Sequence, residues 1–267
     1  MLRFELPGDG HALFTTRADG NLSTMRGHGH GRGGLERERV CKELGLRWLC
    51  AGPQVHGTVV QRVRAQDGEG AGASAGEADG RATILRGGGV MVLTADCLRV
   101  IVGSEGGVAA LHAGWRGLAA GVLEEGVRAL RELDGALTRA TVATGAEEEY
   151  AGEKNAGKDA ADGEIVAIIG PSAGPCCYEV GEEVHSAFAD RTAPKRAAST
   201  TWSGAAASQH RHGRNLDLPA LAAARLTAAG VDRIERVGLC TICDERFFSH
   251  RREAANAGRQ AGIAWLG

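Results

Sequence analysis

Residues 94–117, TADCLRVIVGSEGGVAALHAGWRG, place a thiol, Cys97, and an imidazole, His112, each at the exit of an apolar run. Thiolate and imidazole are zinc donors by type. A catalytic zinc takes three protein ligands at roughly 2.0 to 2.3 Å and keeps a fourth position open. His56, in GPQVHGT, is a third donor of suitable type, again where a loop meets a strand. Three donors from three segments form no local pattern. Residue types alone therefore leave two readings open: one shared metal site, or a buried cysteine with two hydrogen-bonded histidines.

The neighbours of these donors have their own possible chemistry. Asp96 could orient an imidazole or bind a sugar hydroxyl, or it could simply bond to nearby backbone. In HAGWRG, Trp115 and Arg116 stand just before a helix, where a guanidinium and backbone N–H groups could hold phosphate; a packed indole and a solvated cation is the plainer alternative. Cys176 and Cys177 sit in GPSAGPCCYEVG, where adjacent side chains on an extended segment point to opposite faces. That loop is expected to be structural, a pocket wall. CTIC, 240–243, has no second cysteine pair at zinc-ribbon spacing and lacks the βαβ setting of a thioredoxin motif. It is expected to be neither a metal nor a redox centre.

Strands and helices must position these groups. HALFTTR (11–17), GTVVQRV (57–63), VMVLTA, LRVIVG, GVAALHA, RATVAT, EIVAIIG and RIERVGL carry the short apolar runs of strands. LERERVCKELGL, LAAGVLEEGVRALREL (118–133), EVGEEVHSAFA and LDLPALAAARLTAAG carry helical spacing. In the last, Pro219 stands in the first turn and Gly230 just past the end. The interleaving lacks strict β-α-β alternation, which predicts an α/β (α+β) domain with mixed sheets. Segments 65–80 and 145–163 have too little apolar content to pack and are predicted to be mobile loops.

Composition narrows the classes further. The 267 residues include 41 glycines and only 4% aromatics, so the core must be largely Ala, Val and Leu. A formal charge of -2 offers no electrostatic footprint for nucleic acid or an anionic membrane. No run approaches the roughly 20 apolar residues of a membrane span, and no secretory h-region opens the chain. A cytoplasmic protein is expected, its seven cysteines free or metal-bound.

FTTR, QVHGT, TADCLRV, LHAGWRGL, GPSAGPCCYEVG and CTICDERFFSHRRE…AGRQAG occur in this order between Phe14 and Gly262. Together they resemble the YfiH or laccase-domain family, once labelled polyphenol oxidases. The resemblance implies a single domain over 1–267, with mixed β-sheets flanked by helices. It implies one zinc ion per chain on His56, Cys97 and His112, which then serve as both metal-holding and catalytic residues, with copper the disfavoured metal. It also implies purine nucleoside chemistry: phosphorolysis of adenosine, inosine, guanosine and methylthioadenosine, and deamination of adenosine. Arg17, Asp96 and Arg116 become the expected substrate-binding residues. The partners are then a nucleoside and phosphate, in a monomer or homodimer.

Two other function classes are weighed beside this one. A copper-dependent phenol oxidase needs a further cluster of many histidines, which nine scattered ones do not supply. A metal-stabilised binding module, linked to peptidoglycan precursor editing, would use the same donors without turnover.

Overall fold

A computed structural model describes residues 1–25, 33–64, 76–144, 163–189, 211–212 and 214–267. Two mixed sheets form its centre. The first runs in the order β1 (Leu2–Glu5), β2 (Gly10–Phe14), β13 (Gln260–Leu266), β6 (Gly88–Thr94) and β3 (Trp48–Cys50), antiparallel except between β6 and β3. The second runs β12 (Arg233–Arg236), β9 (Val166–Ile169), β7 (Leu98–Gly103), β8 (Val108–Ala113), β5 (Gly80–Thr83) and β4 (Val60–Arg62). Its two outer pairs, β12–β9 and β4–β5, are parallel. A small ribbon pairs β10 (Arg211–His212) with β11 (Asn215–Leu216).

The central strands of the second sheet are buried on both faces, which explains their continuous apolar runs. Period-two alternation still divides them. Val100, Val102, Ala109, Leu111, Ala167 and Ile169 pack toward helices α2 (Trp115–Ala120), α3 (Val122–Thr144), α4 (Glu182–Ala189) and α5 (Leu218–Ala228). Ile101, Val108, Ala110, Val166 and Ile168 instead meet Phe14, Val90 and Ala264 of the first sheet. The outer face of that first sheet is covered by α1 (Gly33–Leu44) through Val40 and Cys41. The layers are therefore helix, sheet, sheet, helices.

Helix ends follow the sequence signals. Asp217 caps α5 by accepting from Ala220 N–H at 2.9 Å, with Pro219 behind it. The stretch 118–133, expected as one helix, is broken at Gly121. That residue adopts φ +106°, and its N–H returns to Gly117 and Leu118 as a left-handed cap.

Three expectations are corrected. RATVAT (139–144) is not a strand but the end of α3, because extending an existing helix needs no new nucleus and β-propensity is a weak preference. Of the loop expected at 65–80, 65–75 lies outside the described residues. Its far end is ordered: Asp79 is fully buried and Gly80 opens β5, because this polar Asp finds backbone partners inside the fold. The loop expected at 145–163 lies outside the described residues except Gly163. Lastly, Cys176 and Cys177 are not on extended backbone. Cys177 and Tyr178 N–H both donate to Gly174 O, at 3.0 and 2.9 Å, closing a turn.

Candidate metal centre

Strand register brings the first two donors together. Arg99 on β7 pairs with His112 on β8, and Cys97, two residues before Arg99, points to the same face. That face looks into the layer between the sheets, and the donors stand at its end. His56 arrives on the loop between β3 and β4 with φ +62°, a left-handed conformation rare for a side-chain-bearing residue. One donor atom from each of the three lies within 4.8 Å of the others. Cys97 Sγ is 3.9 Å from His56 Nε2, and the imidazoles cross edge-to-face at 4.8 Å between centroids. Gly114 must lack a side chain here. A Cβ would come within 2.7 Å of the His56 ring and 3.3 Å of Cys97 Sγ.

Asp79 braces this arrangement, and sequence reasoning did not find it. Its carboxylate lies 2.8 Å from His112 Nδ1 and accepts backbone N–H groups from Val55, His56 and Gly57 at 3.3, 2.9 and 2.6 Å. One buried group thus orients the His112 ring and holds the loop that delivers His56. Burial raises the Asp79 pKa, but His112 and the loop amides outweigh burial and leave it below the usual range. A single acid within ADGR carries no sequence signal of this role.

The thiol and imidazole polarise one another. Burial pushes the Cys97 thiol up, but its bonds to His112 and His56 prevail and bring it to about 6. Burial lowers His112, but Asp79 and Cys97 raise it to about 9. A thiolate beside hydrogen-bonded imidazole is a soft metal donor already ionised near neutrality. In metal-free protein, Cys97 alkylation should therefore rise with pH through a midpoint near about 6, well below an ordinary thiol. Mass-spectrometric rates across pH 5 to 9 check this. A Cys97 midpoint near roughly 8.5 would show that the imidazoles do not stabilise the thiolate.

The donor set fits zinc: two imidazoles and one thiolate, with a carboxylate on the far nitrogen of one imidazole. Its type also suits copper. Among the described residues, the other donor cluster consists of four cysteines and contains no histidine.

The expected substrate-binding residues separate in the structure. Arg116 is exposed, lies over the Trp115 ring at 4.3 Å, and makes no hydrogen bond or ion pair among the described residues. Arg17 is committed. It pairs with Glu253, donates to Glu245 O and Phe247 O at 3.2 and 3.0 Å, and covers Phe248. Asp96, buried at φ +90°, accepts from Thr241 Oγ1 and Arg251 N–H, each at 2.8 Å.

Tyr178 also lies within electrostatic reach of the centre, although the sequence singled out only the loop carrying it. Burial raises its hydroxyl to about 12; Cys97 and Asp96 push the same way, while Arg251 and Arg116 pull against them. Arg251 stacks on its ring at 5.1 Å. Arg259 in turn feels the charges of Cys97 and Asp96. Arg251 and Arg116 therefore act on Tyr178, and Arg259 acts on the Cys97 thiolate itself.

CTIC, which has no second cysteine pair at zinc-ribbon spacing, meets one in the fold. Cys240 and Cys243 meet Cys176 and Cys177, a pairing across 67 positions for Cys176 and Cys243 that no spacing rule anticipates.

Comparison with known proteins gives a consistent result. The family model described as multi-copper polyphenol oxidoreductase laccase matches residues 16–151 and 149–267. A Xylella fastidiosa protein named purine nucleoside phosphorylase is 37% identical over 273 residues, covering 98% of this chain and 89% of its own. The Shigella flexneri purine nucleoside phosphorylase YfiH is 37% identical over 178 residues, 66% of this chain and 58% of its own. A solved Neisseria meningitidis structure superposes with a TM-score of 0.71 at 29% identity, covering 98% of this chain and 96% of that one. Among the described residues no helix is long and apolar enough to cross a membrane.

Proposed function

The chain belongs to the YfiH or laccase-domain family, and on that premise we propose that it is a zinc-dependent purine nucleoside phosphorylase that also deaminates adenosine. Adenosine, inosine, guanosine and methylthioadenosine are the nucleosides we assign to it, with phosphate as co-substrate. The observation that carries this reading is the convergence of His56, Cys97 and His112 on one point, braced by Asp79, with the exposed Arg116 four residues beyond His112 in the chain. The names of the relatives support the same activity.

His56, Cys97 and His112 would hold one zinc. When bound, it supplies Lewis acidity for polarising a substrate atom or activating water. The protein's own groups do the positioning. Phosphorolysis breaks the glycosidic bond with oxocarbenium character, so phosphate must be held against the sugar carbon as the purine leaves. Arg116 is the group we assign to that task, because among the described residues its planar fork makes no hydrogen bond or ion pair beyond stacking on Trp115, and it matches a phosphate edge. Asp96 is assigned to a ribose hydroxyl. Arg17 is assigned a contact at the substrate rim, with its remaining donor capacity.

Product analysis of zinc-loaded protein tests the reading. Adenosine with phosphate should yield adenine and ribose 1-phosphate; adenosine without phosphate should yield inosine. No turnover of either kind would favour a binding module. Arg116→Lys keeps charge but not the fork, and should lower phosphorolytic kcat/KM about tenfold or more, ~1.4 kcal/mol, with zinc still bound. Unchanged kinetics would return Arg116 to the role of a surface residue stacked on Trp115.

A further inference from the structure

Two turns far apart in sequence are sewn into one corner. Ser172 and Cys240 form a parallel bridge; Ser172 N–H donates to Leu239 O at 3.2 Å and Thr241 N–H to Ser172 O at 2.9 Å. On one side of this seam the chain curls at Gly174, and on the other Asp244 N–H closes onto Cys240 O at 3.1 Å. Both curls aim their thiols at the same point. The sulfurs of Cys176, Cys177, Cys240 and Cys243 all lie within 4.8 Å of one another, and all four cysteines are free.

The spacing is that of a coordination shell. Metal–sulfur bonds of about 2.3 Å arranged tetrahedrally set sulfurs about 3.8 Å apart, whereas a disulfide needs about 2.05 Å. Cys176 Sγ and Cys243 Sγ are 3.8 Å apart. One further contact favours anionic sulfur. Gly174 N–H donates to Cys240 Sγ at 3.2 Å. The Arg252 guanidinium, paired with Glu253, donates to Thr241 O and Ile242 O, at 3.0 and 2.7 Å, and so braces the C-x-x-C turn. Gly174 itself allows the approach, since a Cβ there would be 3.0 Å from Cys240 Cβ and 3.5 Å from Cys176 Sγ.

We propose that Cys176, Cys177, Cys240 and Cys243 form a second, all-thiolate site that binds one zinc ion, separate from the His56–Cys97–His112 centre. Binding releases four thiol protons and leaves the site with two net negative charges, with the Gly174 amide donating to Cys240 Sγ. The role is structural. Thr241, inside the C-x-x-C turn, donates to Asp96, and Ala173, beside the C-C turn, bonds Asp96 O at 2.6 Å. A cation clamping the two turns would hold the backbone next to Cys97.

The test uses the reduced, full-length chain. Peptide-resolved alkylation is measured with and without zinc, together with zinc content after desalting. Zinc should slow alkylation of all four cysteines by at least about tenfold, and a chelator should restore it. Cys240→Ser with Cys243→Ser should carry one equivalent less zinc than wild type. Zinc X-ray absorption on a Cys97→Ala background should show four sulfurs at about 2.3 Å. The wild-type alkylation decides the matter even if the double variant fails to fold. Rates for Cys176, Cys177, Cys240 and Cys243 that ignore zinc, or an unchanged zinc content in a folded double variant, would overturn the proposal.

Discussion

Cys97→Ala is expected to lose one equivalent of bound zinc and to lower phosphorolysis by at least ~100-fold, about 3 kcal/mol of barrier, since a Lewis-acid metal is worth several kcal/mol. The thiolate is the one anionic donor of the three, held by the imidazoles of His112 and His56. Without it, two neutral imidazoles remain, a weaker pair for a divalent cation. His112→Ala should behave similarly and should also strip Asp79 of its ring partner. Elemental analysis with steady-state kinetics on the same preparations checks both variants. Full zinc content and activity in folded Cys97→Ala protein would remove this centre from the mechanism.

Asp79→Ala is expected to weaken zinc binding by ~10–100-fold although Asp79 is not itself a ligand, the size typical of losing the carboxylate behind a metal-bound histidine. Two consequences follow from one deletion. His112 loses the acceptor that fixes its Nδ1, and the His56 loop loses the acceptor of three N–H groups. Leaving a buried donor without a partner costs ~1–3 kcal/mol, so thermal stability should fall as well. The Asp79 pKa is depressed in the fold, so its stabilisation is present at neutral pH and is lost only as pH falls below the usual carboxylate range. Chelator competition reads the affinity. Asp79→Asn, which keeps one carbonyl acceptor, should lie between the two. Wild-type affinity in Asp79→Ala would show that the sheet register alone positions the donors.

The chemical types at the centre were legible in the sequence, as were the elements that carry them. Apolar runs of strand length identified β6, β7, β8 and β9, and Pro219 with Gly230 marked the ends of α5. Those signals are local, arising from burial and backbone chemistry within a few residues. Which donors meet was decided only by strand pairing. The register Arg99–His112 puts Cys97 and His112 on one face, and a one-residue slip would have turned His112 toward the helices. Asp79 gained its role because β5 lies beside β8. The four thiols of the second cluster converge because Ser172 bridges Cys240, a contact between chain segments with no common periodicity. Sequence sets what each segment can bury and what each side chain can bind; the tertiary fold alone sets distances between segments, because those depend on pairing energies summed over whole strands.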